Sequence, residues 1–171
     1  MVATGVLTVI FGSHETSDFW VDGLKVWWGS VKDRVGSIRR LVLYLDNGPN
    51  NSGTRTQFLK RMVDFADMSG LKIRLVYYPP YHSKYNGIER YWAGLEKSWN
   101  GYLLSTVKDV LNRAANFFWK GAHASVRMFE GVYEKGIRVC GKDKAKLEPR
   151  LVRSEKLPLY DITIWPQTVY Q

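Results

Sequence analysis

Two short apolar runs that end in dense turn signals constrain the fold of this chain most strongly. Leu41–Leu45 and Leu71–Tyr78 are apolar at nearly every position, which is typical of strands covered on both faces in a parallel sheet. Between them, a helical pattern begins near Thr54 and ends at Gly70. A strand, a helix and a strand in so little sequence predict a right-handed crossover between parallel neighbours, and therefore an α/β protein.

A further strand and helix are predicted before this unit. Residues 5–12 form a β-branched run bounded by glycines, which is typical of a strand. From Asp18 apolar residues recur at helical spacing, with Thr16 or Ser17 as the N-cap and Gly36 as the end of the helix.

The chain after Pro79-Pro80 is predicted to be largely helical. A first helix, capped by Ser83, has a buried stripe that comprises Ile88, Tyr91 or Trp92, Leu95 and Trp99. Further helices are expected over 106–120 and 124–133, and a last strand over 160–165. We therefore divide the chain into an α/β part, residues 1–104, and a helical and basic extension of the same domain, residues 105–171. The basic run Lys142–Lys156 is either a strip for the DNA backbone or a solvated tail.

Composition limits the classes of function. The chain has 171 residues, 45% of them hydrophobic, which is enough for a core, and its formal charge of +9 modestly favours a polyanionic partner. One cysteine and three histidines without zinc-ligand spacing exclude an internal disulfide and argue against zinc, so any metal is expected on oxygen ligands. No membrane-length apolar run or signal peptide is evident, and we expect a soluble, cytoplasmic protein.

Two carboxylates are predicted to lie near the carboxyl ends of the parallel strands, where α/β proteins bind their ligands. Asp46 follows the strand Leu41–Leu45, although Asp-Asn-Gly is also a common turn sequence in which the aspartate has no other role. Glu89 lies early in the helix after the prolines, on the same helix face as Asn86, although an acid there also simply suits the helix dipole. Together, two carboxylates on rigid elements are suited to a pair of Mg²⁺ or Mn²⁺ ions.

The residues around these carboxylates resemble a known family. Leu43–Pro49 (LYLDNGP) and Tyr78–Arg90 (YPPYHSKYNGIER) are similar to the second and third acidic blocks of insertion-sequence DDE transposases, in particular the Rhodopirellula-type transposase DDE family. The resemblance implies an RNase H-like (retroviral integrase-like) fold and metal-dependent DNA strand cleavage and strand transfer at transposon ends. It also implies that Asp46 and Glu89 are the catalytic, metal-binding residues, with Mg²⁺ or Mn²⁺ as the cofactor.

Two departures from the family pattern affect this interpretation. Gly87 stands where relatives usually have proline, which loosens the first helical turn without removing a ligand. The family's first catalytic aspartate precedes the segment that begins here near Gly5, and Asp18, Asp22 and Asp33 all lie in the first helix region. We therefore expect a transposase fragment that lacks the first strands of the fold and is inactive alone.

Three polar residues beside Glu89 are predicted to contact DNA. They are Lys84, Asn86 and Arg90, for which solvated charge or the satisfaction of backbone groups in the first helical turn are equal alternatives.

Two other functions remain as rivals. One is a non-catalytic DNA-binding or regulatory remnant that pairs with full-length transposase or with itself, associated with the nucleoid. The other is a small-molecule α/β enzyme, which the absence of GxGxxG and GxxxxGK[ST] phosphate loops disfavours.

Overall fold

The chain is a mixed α/β protein, as the sequence predicts. The structure is a computed structural model that describes residues 7–79 and 85–167. In chain order its elements are β1 (Thr8–Phe11), α1 (Ser17–Val31), a 3₁₀ helix (Lys32–Arg34), β2 (Arg40–Leu45), α2 (Thr56–Ser69), β3 (Lys72–Tyr77), α3 (Gly87–Ser98), α4 (Val107–Asn116), β4 (Phe118–Trp119), β5 (Ala122–His123), β6 (Ser125–Met128), α5 (Gly141–Leu147), a 3₁₀ helix (Glu148–Arg150), β7 (Leu151–Arg153) and β8 (Asp161–Ile164).

These elements fall into two compact units. The smaller unit contains Met1–Ser13 and Tyr81–Val132, and the larger contains His14–Pro80 and Tyr133–Gln171. No helix in the described ranges has the length and apolar character needed to cross a lipid bilayer.

The larger unit is built on a four-stranded sheet in the order β2-β3-β8-β7. Strands β2 and β3 are parallel neighbours, with Arg40 opposite Lys72 and Leu45 opposite Tyr77, which confirms the predicted strand–helix–strand pairing. Strand β8, predicted over 160–165, joins β3 in the antiparallel direction, and β7 pairs antiparallel with β8.

Both long helices of this unit pack on one face of the sheet. One face of α2 carries Phe58, Met62 and Phe65, which are fully buried. It joins a core whose other members include Val21, Leu45, Ile73, Leu75, Ile162 and Ile164. The ends of the helices also agree with the sequence: Thr16 caps α1, its Oγ1 accepting from the Phe19 N–H at 3.2 Å, and Gly70 ends α2 with φ of 68°. The core is thus on the helix side of the sheet.

The prediction that strands β2 and β3 are covered on both faces is wrong. Burial alternates along β2, and Val42 and Tyr44 are 36% and 56% exposed. The physical reason is that successive side chains of a strand point to opposite faces, while α1 and α2 both pack on the same one. We call the other side, which carries Arg40, Val42 and Tyr44 on β2, the open face.

The smaller unit has its own core. Strand β1 pairs parallel with β6, and β4 pairs antiparallel with β5. Helix α3 contributes Tyr91 and Leu95, both fully buried, so Tyr91 rather than Trp92 belongs to the predicted stripe. The Tyr91 ring lies edge-on to Phe117 and Trp119, with centroids 5.5 and 6.2 Å away. These aromatic residues are therefore part of the hydrophobic core of the smaller unit.

One prediction for the chain after the prolines is wrong, and one is confirmed with a shorter helix. The segment expected to be a helix over 124–133 instead contains β6, because Val126 alternates with exposed neighbours and extended backbone pairs with β1. The helix expected over 106–120 is present as α4, which begins after the N-cap Thr106 and ends at Asn116. The described part of 105–171 accordingly holds two helices and five strands, so this region is mixed rather than helical.

The N-cap of α3 also differs from the prediction. Asn86 caps the helix, its side chain accepting from the Ile88 N–H at 3.4 Å. Ser83, the predicted cap, lies outside the described residues.

Candidate functional site

Asp46 lies immediately after β2, at the carboxyl ends of the two parallel strands. Its residue is exposed, and the chain turns at the next position because Asn47 adopts φ of 62°. Asparagine tolerates this left-handed conformation better than most residues. The sequence prediction for the place of Asp46 is therefore confirmed, and the carboxylate faces solvent at the sheet edge where α/β proteins bind ligands.

The loop that follows holds one oxygen of this carboxylate. Oδ1 of Asp46 accepts from Nδ2 of Asn51 at 2.9 Å and, more weakly, from the Gly48 N–H at 3.4 Å. The second bond closes a local turn of the kind that aspartate commonly makes. Oδ2 receives no hydrogen bond within the described ranges. The arrangement fixes the carboxylate and leaves one oxygen open.

Asn51, which the sequence analysis did not single out, is the buried support of Asp46. Its residue is 2% exposed, and its own Oδ1 has no partner among the described residues. Its backbone carbonyl accepts from Oη of Tyr77 on β3 at 2.8 Å. The segment DNGPNNSG is rich in turn formers throughout, so no signal in it distinguished Asn51 from its neighbours.

The same loop is tied to α1, to the segment before α1 and to β7. Nδ2 of Asn50 donates to the Glu15 carbonyl at 2.9 Å, and Oγ of Ser17 donates to the Asn50 carbonyl at 2.7 Å. Further along, Nη1 of Arg153 donates to the Gly53 carbonyl at 3.0 Å. The loop from Asp46 to Gly53 is thus held in one shape before any ligand arrives.

Burial raises the pKa of the Tyr77 phenol, and the negative charge of Asp46 adds to the increase while Arg153 opposes it. The phenol therefore remains protonated at neutral pH and serves as the donor to the Asn51 carbonyl.

The other predicted site residues belong to the smaller unit. Glu89 lies in the first turn of α3 and is exposed, and its backbone N–H donates to the Asn86 carbonyl at 3.1 Å. Arg90 is also exposed. Lys84 lies outside the described residues. The structure therefore brings Asn86 and Glu89 together at the start of one helix, and Asp46 and Asn51 together in one loop.

The donor set beside Asp46 suits a hard divalent cation. Carboxylate and amide oxygens are the ligands that Mg²⁺ and Mn²⁺ prefer. A Cβ at Gly48 would come within 3.6 and 3.7 Å of the two Asp46 oxygens and 3.3 Å of Asn51 Oδ1, so glycine keeps that space open. Across residues 7–79 and 85–167, no group of three or more His, Cys, Asp or Glu side chains forms a metal cluster.

Fold and loop define an α/β protein with an oxygen-donor site at the carboxyl end of a parallel strand pair. The family model of the Rhodopirellula transposase DDE domain matches residues 2–166, and the chain therefore belongs to this DDE transposase family. The resemblance seen in the sequence is thus confirmed, and with it a function related to transposition. DDE transposase domains generally use divalent metals and bind DNA. Neither a curated protein nor a solved structure gave a significant match.

Proposed function

We propose that the chain carries two carboxylates, Asp46 and Glu89, of a DDE active site that cleaves DNA strands and transfers them during transposition of an insertion sequence. The observation that carries this proposal is the Asp46 loop: in a chain of the DDE family, a carboxylate follows a parallel strand and is held by a buried amide. The parallel pair β2 and β3, joined by α2, also favours an RNase H-like fold.

Asp46 and Glu89 are the residues that would hold Mg²⁺ or Mn²⁺. When bound, such ions polarise a phosphodiester and lower the pKa of a coordinated water or hydroxyl group. The chain's own contribution is to fix Asp46 through Asn51 and Gly48. Because Oδ2 is already oriented before an ion binds, little conformational entropy is lost on binding. Lys84, Asn86 and Arg90 are proposed to contact DNA phosphates next to Glu89.

Two carboxylates are a poor cage for two divalent ions, because each ion needs several oxygen ligands. We therefore propose that the chain alone does not cleave DNA and that a third carboxylate completes the site in the active enzyme.

A second candidate is a non-catalytic DNA-binding or regulatory protein that pairs with full-length transposase or with a second copy and associates with the nucleoid. The formal charge of +9 favours it, since charge alone supports binding to DNA phosphates.

The metal site is tested by NMR with Mn²⁺, whose unpaired electrons broaden signals of nearby nuclei. We expect Mn²⁺ to broaden the amide signals of residues 46–51 and 86–90. Asp46→Asn should abolish the broadening of residues 46–51, and Glu89→Gln should abolish that of residues 86–90. If one ion is shared by both carboxylates, each variant should lose the broadening of both segments. Matched controls are Asp33→Asn, an exposed acid of the larger unit, and Glu96→Gln, an exposed acid on the same helix as Glu89. Broadening that survives both active-site variants would refute the metal assignment.

A nicking assay on supercoiled DNA with Mg²⁺ or Mn²⁺ separates the two candidates. Salt-sensitive DNA binding without nicking, together with Mn²⁺ binding at Asp46, supports the incomplete active site. DNA binding without any Mn²⁺ effect supports the non-catalytic protein. Nicking that both substitutions abolish would show that another carboxylate of this chain completes the site, and would contradict the proposed inactivity.

A further inference from the structure

The open face of the larger unit carries a basic pocket. A cavity of about 240 Å³ lies on this face, and four cationic residues line it against a single carboxylate among its described lining residues. The cations are Arg40 on β2, Lys72 and Arg74 on β3, and Arg153 on β7, and the carboxylate is Asp161 on β8.

Two of these cations are already engaged. Nε and Nη2 of Arg74 donate to the two carboxylate oxygens of Asp161 at 2.9 and 2.6 Å. Nη1 of Arg153 donates to the carbonyls of Gly53 and Pro158. The cationic groups that stay available in the pocket are therefore those of Arg40 and Lys72.

Arg40 and Lys72 form a like-charged pair. They are directly opposed in the register of β2 and β3, on strands about 4.8 Å apart, so two positive charges share one end of the open face. The Lys72 ammonium lies over the Trp165 ring, 3.8 Å from its centroid, which holds it at the surface. Within the described residues, the Arg40 guanidinium has no hydrogen bond and no ion pair. An anion bound beside both residues would neutralise this positive charge.

A second cavity of the same unit does not share this excess of cationic residues. That cavity, about 350 Å³, is lined by three carboxylates (Glu15, Asp18 and Glu134) and two cations (Arg55 and Lys135), so its charge is nearly balanced. An excess of uncompensated positive charge thus distinguishes the pocket on the open face.

The basic pocket is separate from the Asp46 loop. Arg40 and Lys72 are the first residues of their strands, whereas Asp46 follows the last residue of β2. Six residues of strand at roughly 3.3 Å each put about 20 Å between the two places, so a duplex that ran along β2 would span them with about six base pairs.

We propose that Arg40 and Lys72 bind backbone phosphates of duplex DNA, as an anchoring contact about six base pairs from the carboxylate site. The choice of DNA over other phosphate compounds rests on the proposed function, whereas the preference for a phosphate rests on the like-charged pair. Because phosphate contacts carry no sequence information, the pocket fixes the position of the duplex and does not read its sequence.

The test measures fluorescence anisotropy of a labelled 30-base-pair duplex in EDTA, over a range of salt concentrations. We expect Arg40→Gln combined with Lys72→Gln to weaken binding roughly tenfold at low salt and to reduce the slope of log K against log salt by about two. The matched control is Lys32→Gln combined with Arg34→Gln, which removes the same two residue types from exposed positions of the first 3₁₀ helix. This control should leave the salt slope nearly unchanged.

Thermal unfolding guards against loss of structure. The double variant should unfold at about the same temperature as the parent chain, because charged groups at the surface contribute little to stability. Arg40→Glu is a second probe, because it places an opposite charge beside Lys72 and should lower DNA affinity while stabilising the fold.

Three results would overturn the proposal. An equal or larger loss in the Lys32 and Arg34 variant would assign the effect to net charge. Equal binding of the duplex by the parent chain and the Arg40 and Lys72 variant would exclude the pocket. Displacement of the duplex by inorganic phosphate, at phosphate concentrations similar to the Kd of the duplex, would assign the pocket to free phosphate. The assay contains EDTA and measures DNA affinity alone, whereas the catalytic proposal is tested by Mn²⁺ broadening and by nicking, so failure of one proposal is distinguishable from failure of the other.

Discussion

Nδ2 of Asn51, a buried side chain, donates to Oδ1 of Asp46, an exposed one, at 2.9 Å. This bond couples the surface carboxylate to the interior of the larger unit, because the Asn51 carbonyl in turn accepts from Tyr77 on β3. The position of Asp46 is therefore determined by core packing as well as by the local turn.

Replacing Asn51 tests this coupling. We expect Asn51→Ala to lower the free energy of unfolding by about 1–3 kcal/mol, because it removes a buried hydrogen bond and leaves a small cavity. Urea denaturation followed by circular dichroism measures the change. Asn100→Ala, at an exposed position, should change it by less than about 0.5 kcal/mol. Equal values for the two variants would contradict a supporting role for Asn51.

Tyr77→Phe should lower the free energy of unfolding by about 1–2 kcal/mol at pH 7, because the Asn51 carbonyl loses its donor.

The stability of the parent chain should decrease at alkaline pH. Since burial raises the pKa of Tyr77 in the folded state, the unfolded state loses this proton first, and stability falls as pH rises above about 10. Unfolding measured from pH 8 to 11 should show a smaller loss in Tyr77→Phe. An identical alkaline loss in both proteins would rule out Tyr77 as its source.

Gly53 sits where a side chain does not fit. A Cβ there would come within 2.6 Å of the Leu159 carbonyl oxygen and 2.9 Å of Cδ1 of Ile162. Gly53→Ala should therefore destabilise the fold by about 1–3 kcal/mol, as overpacking does. Gly29→Ala, in α1 with nothing within 4 Å of its Cβ, should instead stabilise it by up to about 1 kcal/mol. Thermal melts of the two variants should shift in opposite directions, and a shift in the same direction would disprove the packing argument.

Asp161 should contribute to the acid sensitivity of the fold. Hydrogen bonding from the Arg74 guanidinium holds the pKa of Asp161 below its ordinary value. The stabilisation is therefore present above about pH 4 and is lost as pH falls through the lower, folded-state value. The stability difference between the parent chain and Asp161→Asn should be constant from pH 8 to 5 and shrink at lower pH. A difference that grew on acidification would contradict the assignment.

Local patterns were sufficient for the central strand–helix–strand unit. The caps at Thr16 and Gly70, the buried stripe of α2 and the place of Asp46 all follow from short-range rules of capping, periodicity and strand ends. Such features depend on neighbours within a few positions along the chain, so sequence alone predicts them.

Features that depend on distant partners were not predictable in the same way. Val126 and its neighbours form a strand because β1, more than a hundred residues earlier, supplies the pairing groups. The open face carries exposed residues such as Val42 because both long helices pack on the opposite side, which an apolar run cannot reveal. Asn51 acquires its role from Tyr77, a residue on another strand.

Strand β2 lies at one end of the order of its sheet and, within the described residues, pairs only with β3. Its amides consequently form two alternating sets, one bonded to β3 and one directed away from the sheet. Hydrogen–deuterium exchange should resolve these sets as slow and fast within a single strand. If a further strand docked along β2, the exchange of the fast amides would become slow. The exchange rates of the strand that leads into Asp46 therefore report directly on assembly.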